Sequence, residues 1–342
     1  MPENYESNYS FVKKVWIVGG IFALIIVLLL LIQATINFLI MIFAGVLVAC
    51  YFRGISSYLH KKLNWSRALT LTIAIVISIS FLFAVSWSIG AKISSQALQL
   101  QESLPGAIEN VKNYLNDSYL GRKLIEQVSE IQGSGDMTSY ISRFFSTTFG
   151  FIGDIYIILL IGAFFTAAPE LYKKGIIQLV PPSKRDRAEE VVKNLGSGLK
   201  KWLAGKLIAM LIVFVLSAIG LAVIGVPLWL TLAIIAGLLN FIPNFGPLAA
   251  MIPAVLLALT ISPVTAGLAA GMYVLIQFLE SNIITPKIQQ HLIKIPPALI
   301  IISQILVGAL TGIWGIILAT PLVLVLIILI QDLYIKPMNK RQ

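Results

Sequence analysis

Long apolar runs alternate with polar stretches along the chain, and most runs have the length of a membrane-crossing helix. A helix rises about 1.5 Å per residue, so roughly 20 apolar residues cross the hydrocarbon core of a bilayer. We expect Gln33, Thr35 and Asn37 to form a short polar turn between the first two runs. The runs that predict single spans are 15–32, 36–52, 68–91, 149–168, 207–225 and 264–282.

Region 228–262 is apolar but is interrupted by proline and glycine, which end helices. Its halves, Leu228–Leu239 and Leu248–Ile261, are joined by the sequence Asn-Phe-Ile-Pro-Asn-Phe-Gly-Pro at 240–247. Each half is short for a complete crossing. The pair is therefore either a spanning hairpin or a re-entrant pair whose tip lies inside the membrane, where irregular backbone is tolerated only against protein or a water-filled cavity.

Region 298–335 divides in a similar way, near Gly308 to Gly315 and again at Pro321. It is either a second hairpin or a half-helix followed by one long span. Together with the single spans, these two regions predict an all-α, polytopic integral membrane protein with about eight membrane segments. Amphipathic helices outside the membrane are predicted in the polar inserts 92–148 and 169–206.

Charge is distributed unevenly over the polar regions. Region 53–67 has four Lys or Arg and no acid, and region 169–206 has nine against four acids, whereas region 92–148 has five against six. Basic loops stay in the cytoplasm, so both termini are predicted to be cytoplasmic and 92–148 extracytoplasmic. The predicted units are a three-span region 1–91, the insert 92–148, span 149–168, the basic amphipathic helix 169–206, a C-terminal core 207–335 with broken hairpins, and the tail 336–342.

Composition agrees with a lipid environment, because 58% of the residues are hydrophobic and only 12% are charged, against roughly 25% charged in soluble domains. The net charge of +10 follows from the basic cytoplasmic regions, so we predict no nucleic-acid partner. One cysteine, Cys50, excludes an internal disulfide. Two distant histidines and no phosphate-binding loop or catalytic triad argue against a metal, a nucleotide, any other cofactor and an enzyme.

The broken segment of the first hairpin is the leading candidate for a solute or ion path. Interrupted helices expose unpaired carbonyl and amide groups that can hold a polar solute. The alternative is a plain turn outside the membrane. The candidates are Asn240, Pro243, Asn244, Gly246 and Pro247.

A second candidate lies at the end of the run 264–282, where Gln277, Glu280 and Asn282 occur. A carboxylate at membrane depth is costly and usually faces a cavity or a partner, so Glu280 is a candidate proton carrier. The alternative is a helix-end residue at the cytoplasmic interface, near Lys287. Asp154 is interpreted as an acid at the outer membrane boundary.

The glycines of the second hairpin have two interpretations. Small residues at a spacing of four permit close packing of helices, and they also suit a hinge. The sequence leaves both open for Gly308, Gly312, Gly315 and Pro321.

Three segments together resemble one known family. They are Gly-Leu-Leu-Asn-Phe-Ile-Pro-Asn-Phe-Gly-Pro at 237–247, Gln-Phe-Leu-Glu-Ser-Asn-Ile-Ile-Thr-Pro-Lys-Ile at 277–288, and Gly-Ile-Trp-Gly-Ile-Ile-Leu-Ala-Thr-Pro at 312–321. With the order of the spans, they make the chain similar to the autoinducer-2 exporter family, also called PerM-type permeases. This chain departs from similar sequences at Gln290, where a glycine is usual, and at Ile295-Pro296, where His-Pro is frequent.

The resemblance implies a secondary transporter that exports autoinducer-2 or a related small polar solute through the bacterial inner membrane. Some similar proteins look like sodium or lithium/proton antiporters, which would add Na⁺ or H⁺ as a partner. The family also implies a homo-oligomer such as a pentamer. A channel or a non-transporting scaffold, with partners bound by 92–148, is the remaining alternative.

Overall fold

The computed structural model describes residues 3–80, 83–84, 87, 153–288 and 295–339, and the described residues are helical with short connections and no strand. The predicted insert 92–148 lies outside them. The main helices are α1 (Glu3–Leu63), α2 (Arg67–Ser80), α3 (Gly153–Ala167), α4 (Pro169–Gln178), α5 (Arg185–Ile224), α6 (Trp229–Leu239), α7 (Phe245–Leu259), α8 (Pro263–Leu279), α9 (Pro297–Thr311) and α10 (Ile313–Ile330).

The all-α membrane architecture is confirmed. Four helical stretches of the described residues are long and apolar enough to cross a membrane, or five if the bent pair α3–α4 is one span. Within the described residues α6, α7 and α9 are apolar but shorter, so half-length helices occur in both broken regions, 228–262 and 298–335. The predicted span 68–91 is described only in part, as α2 and residues 83–84 and 87. The long stretches are Thr35–Leu63, Pro182–Ile224, Pro263–Ile288 and Ile313–Met338.

Helix α1 runs without interruption for 61 residues, so the predicted polar turn at Gln33, Thr35 and Asn37 is wrong. None of these residues breaks a helix, and no proline or glycine lies among them. The Thr35 hydroxyl donates a 2.7 Å hydrogen bond to the Leu31 carbonyl, which satisfies it within the helix. A rod of this length measures about 90 Å, about three times the hydrocarbon thickness.

Helix α5 is also longer than predicted, because it joins the basic region 169–206 from Arg185 onward to the apolar run 207–225 in 40 continuous residues. It ends where predicted, at Gly225, whose φ of 79° is left-handed. Glycine adopts this conformation without steric cost and commonly ends helices.

The two broken hairpins are both present. Helices α6 and α7 are separated by residues 240–244, and α9 and α10 are separated at Gly312. Pro321 was expected to interrupt the second region, but it lies inside α10 and is almost fully buried. Helix α10 therefore continues through Pro321, which is tolerated in membrane helices where neighbouring helices pack against the freed backbone groups.

Two apolar clusters form the core of the described part of the chain. One joins the C-terminal half of α5 to α6, α7 and α8 through small residues, including Ala236, Ala250, Ala254 and Ala269. Small side chains let helix backbones approach closely, which is how helices associate in lipid. The other cluster joins α1, α3, α10 and the part of α5 around Trp202. Helix α5 therefore contacts both halves of the molecule.

Helix α10 continues through a π-helical turn, Gln331–Ile335, that is fastened to α5 by the buried Asp332. The Asn194 amide donates to one carboxylate oxygen of Asp332 at 2.7 Å, and Lys336 donates to the other at 2.6 Å. Arg187 donates to the Asp332 main-chain carbonyl. This cluster holds the end of the chain against the basic part of α5.

We predict that Asp332→Ala loosens this end of the chain. The change removes the hydrogen bond from the half-buried Asn194 amide, which costs about 1 kcal/mol. Limited chymotrypsin digestion should then cleave after the exposed Tyr334 faster than in the unchanged protein. Asp332→Asn is the matched control, since it keeps an acceptor for Asn194, and equal cleavage of the alanine variant and the unchanged protein would contradict the fastening role.

Candidate functional site

The break between α6 and α7 contains residues whose backbone conformation or small size permits a tight turn. Asn244 has a positive φ of 65°, which asparagine tolerates better than most residues. A Cβ on Gly246 would lie 1.8 Å from the Leu239 carbonyl oxygen, so only glycine fits there. Pro247 lies in the first turn of α7, where its missing N–H is not needed. The chain can therefore reverse tightly, with α6 and α7 in contact.

Polar groups inside this break are buried and partly unpaired. Asn240 is 1% exposed, and its Nδ2 has no hydrogen-bond partner among the described residues. Gln304 of α9 is fully buried and donates from Nε2 to the Pro243 carbonyl at 2.9 Å, while its Oε1 has no partner in the described part of the chain. The break thus presents one unused amide donor and one unused amide acceptor. Asn244, in contrast, is exposed.

A buried ion pair lies between α5 and the end of α8. Lys206 is 5% exposed and Glu280 is 7% exposed, and their Nζ and Oε1 atoms are 3.7 Å apart. This separation makes an ion pair but is too long for a direct hydrogen bond. Glu280 therefore lies inside the protein, and the alternative of a helix-end carboxylate that reaches water is wrong.

Hydroxyl groups complete the surroundings of Glu280. Thr285 donates to Oε1 at 2.9 Å, and Ser281 lies 3.4 Å from Oε2. Gln277 donates to the Ser281 hydroxyl at 3.0 Å, so it belongs to the same polar group. Asn282 does not belong to it, because its side chain is exposed and donates to the Phe278 carbonyl.

The helix around Glu280 is distorted, since residues Glu280–Ile284 form a π-helical turn before the short helix Thr285–Ile288. Pro286 explains the distortion, because its ring excludes the carbonyl of Asn282 and it has no N–H to donate. Single π-helical turns within helices are frequent at functional sites. The charged residue therefore lies at a second interruption of a membrane helix.

Trp202 connects the ion pair to the first break. It lies one turn before Lys206 on α5, is 3% exposed, and packs edge-to-face on Phe241 with 5.8 Å between the ring centroids. Phe241 belongs to the break itself. One face of α5 thus contacts the α6–α7 break through Trp202 and the α8 interruption through Lys206.

The glycines of the second hairpin have separate structural tasks. Gly312 forms the turn, with a positive φ of 65°. A Cβ on Gly315 would lie 2.3 Å from the Val307 carbonyl oxygen, and one on Gly308 would lie 2.6 Å from Ile316. Close packing of α9 on α10 therefore accounts for Gly308 and Gly315, and Pro321 follows within α10. A hinge role for the set stays a prediction.

Asp154 is tied to this hairpin, because the Trp314 indole N–H donates to its carboxylate at 2.7 Å. It therefore links α3 to the start of α10 in addition to any role at the membrane boundary.

Of the predicted candidates, the structure joins Pro243 to Gln304 by a hydrogen bond and Gln277 to Glu280 through the Ser281 hydroxyl. Asn240 is buried in the same break. Sequence reasoning missed Lys206, which was assigned to the basic cytoplasmic region, and Gln304. One available signal was a long polar side chain in an otherwise apolar stretch, Lys206 within 202–216 and Gln304, beside the small Ser303, within 298–310. No group of three His, Cys, Asp or Glu side chains within the described ranges could hold a metal, and Gln290 lies outside those ranges.

Comparison with known proteins gives concordant similarities. The model of the AI-2E family transporter family matches residues 21–335. YueF of Bacillus subtilis, a proposed transport protein, is 27% identical over 301 residues, which cover 82% of this chain and 80% of YueF. PerM of Escherichia coli K12, a proposed permease, is 23% identical over 306 residues, or 83% and 86% of the two chains. YrrI of B. subtilis is 36% identical over 157 residues, which span only 46% of this chain and 44% of YrrI.

Proposed function

Because this chain belongs to the AI-2E family of transporters, we propose that it is a secondary transporter that exports a small polar solute, such as autoinducer-2, across the bacterial inner membrane. The region 207–335, together with Lys206, is the transport core in this proposal. The sequence contains no phosphate-binding loop, so the energy comes from the gradient of the solute or of a coupled ion.

The observation that carries the proposal is the buried Lys206–Glu280 pair at an interrupted helix. A buried ion pair is weak evidence for stability, because desolvation offsets the attraction between the charges. Ionisable residues inside membrane proteins are rare and usually mark a solute or ion path. The pair therefore favours a role in transport over a role in holding the fold.

The chemistry of the site favours a neutral solute that carries hydroxyl groups. Lys206 and Glu280 neutralise each other, so the site has no net charge to offer an ion. Asn240 Nδ2 and Gln304 Oε1 provide an unused donor and an unused acceptor. A hydroxyl group both donates and accepts hydrogen bonds, and it is therefore suited to both amides.

The membrane orientation and the assembly belong to the same proposal. Basic residues in 53–67 and 169–206 favour a cytoplasmic location for both termini. The resemblance to the family supports a homo-oligomer such as a pentamer. Cross-linking in native membranes, followed by mass measurement of the purified complex, tests the oligomer.

Transport is tested with purified protein in liposomes. We expect efflux of labelled autoinducer-2 above the rate of empty liposomes, and at least a tenfold lower rate for Gln304→Leu, because a buried site that loses a hydrogen-bonding partner discriminates strongly against its solute. The exposed Glu189→Gln is the control and should keep the normal rate. Flux equal to that of empty liposomes, with and without Na⁺ or H⁺ gradients, would reject autoinducer-2 as the solute. Single-channel currents in planar bilayers would show that the protein is a channel and not a carrier.

A sodium/proton antiporter is the second candidate, and it is favoured by the carboxylate and hydroxyl oxygens gathered around Glu280. Oxygen atoms are the ligands that hard cations prefer. Against it, Lys206 already occupies the place of a cation beside the carboxylate. Glu280→Gln should abolish sodium-driven proton movement in liposomes if this candidate is right, whereas persistent exchange would remove Glu280 from any such mechanism.

A further inference from the structure

Helix α4 is nearly perpendicular to α3, which directly precedes it. The axes of Gly153–Ala167 and Pro169–Gln178 differ by 86° across the single residue Ala168. Arg53 of α1 donates to the Thr166 carbonyl at 3.0 Å and so holds the end of α3 in place. Because α3 belongs to the span predicted from the sequence at 149–168, a helix perpendicular to it lies close to the plane of the bilayer.

No residue of α4 is buried in the protein, although one of its faces is apolar. Leu171 is 68% exposed, Ile176 57%, and Leu179, directly after the helix, 86%. At about 100° per residue, these side chains share one side of the helix. Lys173 and Lys174 lie on the opposite side, which also carries the half-buried Ile177. The apolar face of Leu171, Ile176 and Leu179 is therefore the open one.

We propose that α4 is an interfacial helix that binds the bilayer surface, with its apolar face among the acyl chains and with Lys173 and Lys174 on the headgroups of acidic phospholipids. Helices of this kind combine buried apolar area with attraction to anionic lipid. The short length and the lysines exclude α4 as a span of its own.

Charge complementarity supports an acidic lipid as the occupant. Lys173 forms only an exposed salt bridge with Glu170, at 2.8 Å with the two side chains 49% and 68% exposed, and such pairs are weak. Lys174 forms no salt bridge within the ranges that the structure describes. Both ammonium groups are therefore available to phosphate oxygens. This inference does not depend on the transported solute.

The depth of α4 is tested with the full chain in bilayers, with spin labels placed at Leu171→Cys, Lys174→Cys and Leu179→Cys in a Cys50→Ala background. We expect several-fold higher accessibility to oxygen, which partitions into lipid, at 171 and 179, and higher accessibility to a water-soluble nickel complex at 174. Low accessibility to both reagents at 171 and 179 would show that protein, such as a second copy of the chain, covers this face of α4. High accessibility to the nickel complex at both positions would show that this face lies in water. Either result overturns the proposal.

The headgroup specificity is tested with spin-labelled phosphatidylglycerol and phosphatidylcholine in the same bilayers. Lys173→Gln with Lys174→Gln should lower the preference for phosphatidylglycerol by up to about fivefold per lysine removed. Lys173→Arg with Lys174→Arg keeps the charge and should keep the preference. An unchanged preference in the glutamine variant would overturn the role of the lysines.

Discussion

Replacing Lys206 with methionine should abolish transport and lower the free energy of unfolding by about 3–5 kcal/mol, because it leaves the Glu280 carboxylate buried without its cation. Methionine keeps the length and apolar contacts of the lysine stem, so the change removes mainly the charge. Thermal unfolding in detergent measures the loss of stability, and efflux from liposomes measures the loss of transport.

Two variants separate the charge from the rest of the site. Lys201→Met removes an exposed lysine from the same helix and should change stability by no more than about 0.5 kcal/mol. Lys206→Met with Glu280→Leu removes both charges and should recover most of the stability, since apolar pairs replace buried ion pairs at little cost. Transport should stay lost in this double variant if the pair acts on the solute.

The possible results distinguish a structural pair from a functional one. Recovery of both stability and transport in the double variant would mean that the pair serves the fold alone. Normal stability and transport in Lys206→Met would contradict the buried pair itself.

The second large effect is expected for Gly246→Ala, which should destabilise the protein by about 3 kcal/mol, at the upper end of the usual cost of overpacking. The added methyl group would lie 1.8 Å from the Leu239 carbonyl oxygen. A backbone atom cannot rotate away as a flexible side chain can, so the turn between α6 and α7 has to open. Because that turn carries Asn240, transport should fall together with the melting temperature.

Gly267→Ala is the matched control, because it places the same methyl group on α8 with nothing within 4 Å. Alanine favours a helix over glycine by up to about 1 kcal/mol, so this variant should be neutral or slightly stabilised. Equal melting temperatures for the two glycine variants would contradict the close approach of Gly246 to Leu239.

Local sequence determined much of the architecture. Apolar runs of sufficient length predicted membrane helices, since burial of the backbone in lipid leaves few other structures. The helix ends at Pro169 and Gly225 and the break at 240–244 were also predictable, because proline and glycine act on their own immediate backbone. Polar residues were a poor guide to breaks. Helix α1 passes through Gln33, Thr35 and Asn37, because these residues can adopt helical backbone angles inside a long helix.

The tertiary structure alone decided what the polar residues do. Glu280 was visible as an acid near the end of a span, but whether it reaches water or lies buried depended on Lys206, which comes from a distant part of the chain. Gln304 became part of the first break only because α9 places its amide on the Pro243 carbonyl. The length of an apolar run is a property of one segment, so it can be read directly from the sequence. The pairing of buried polar groups depends on which helices meet, and that follows from the packing of the whole bundle.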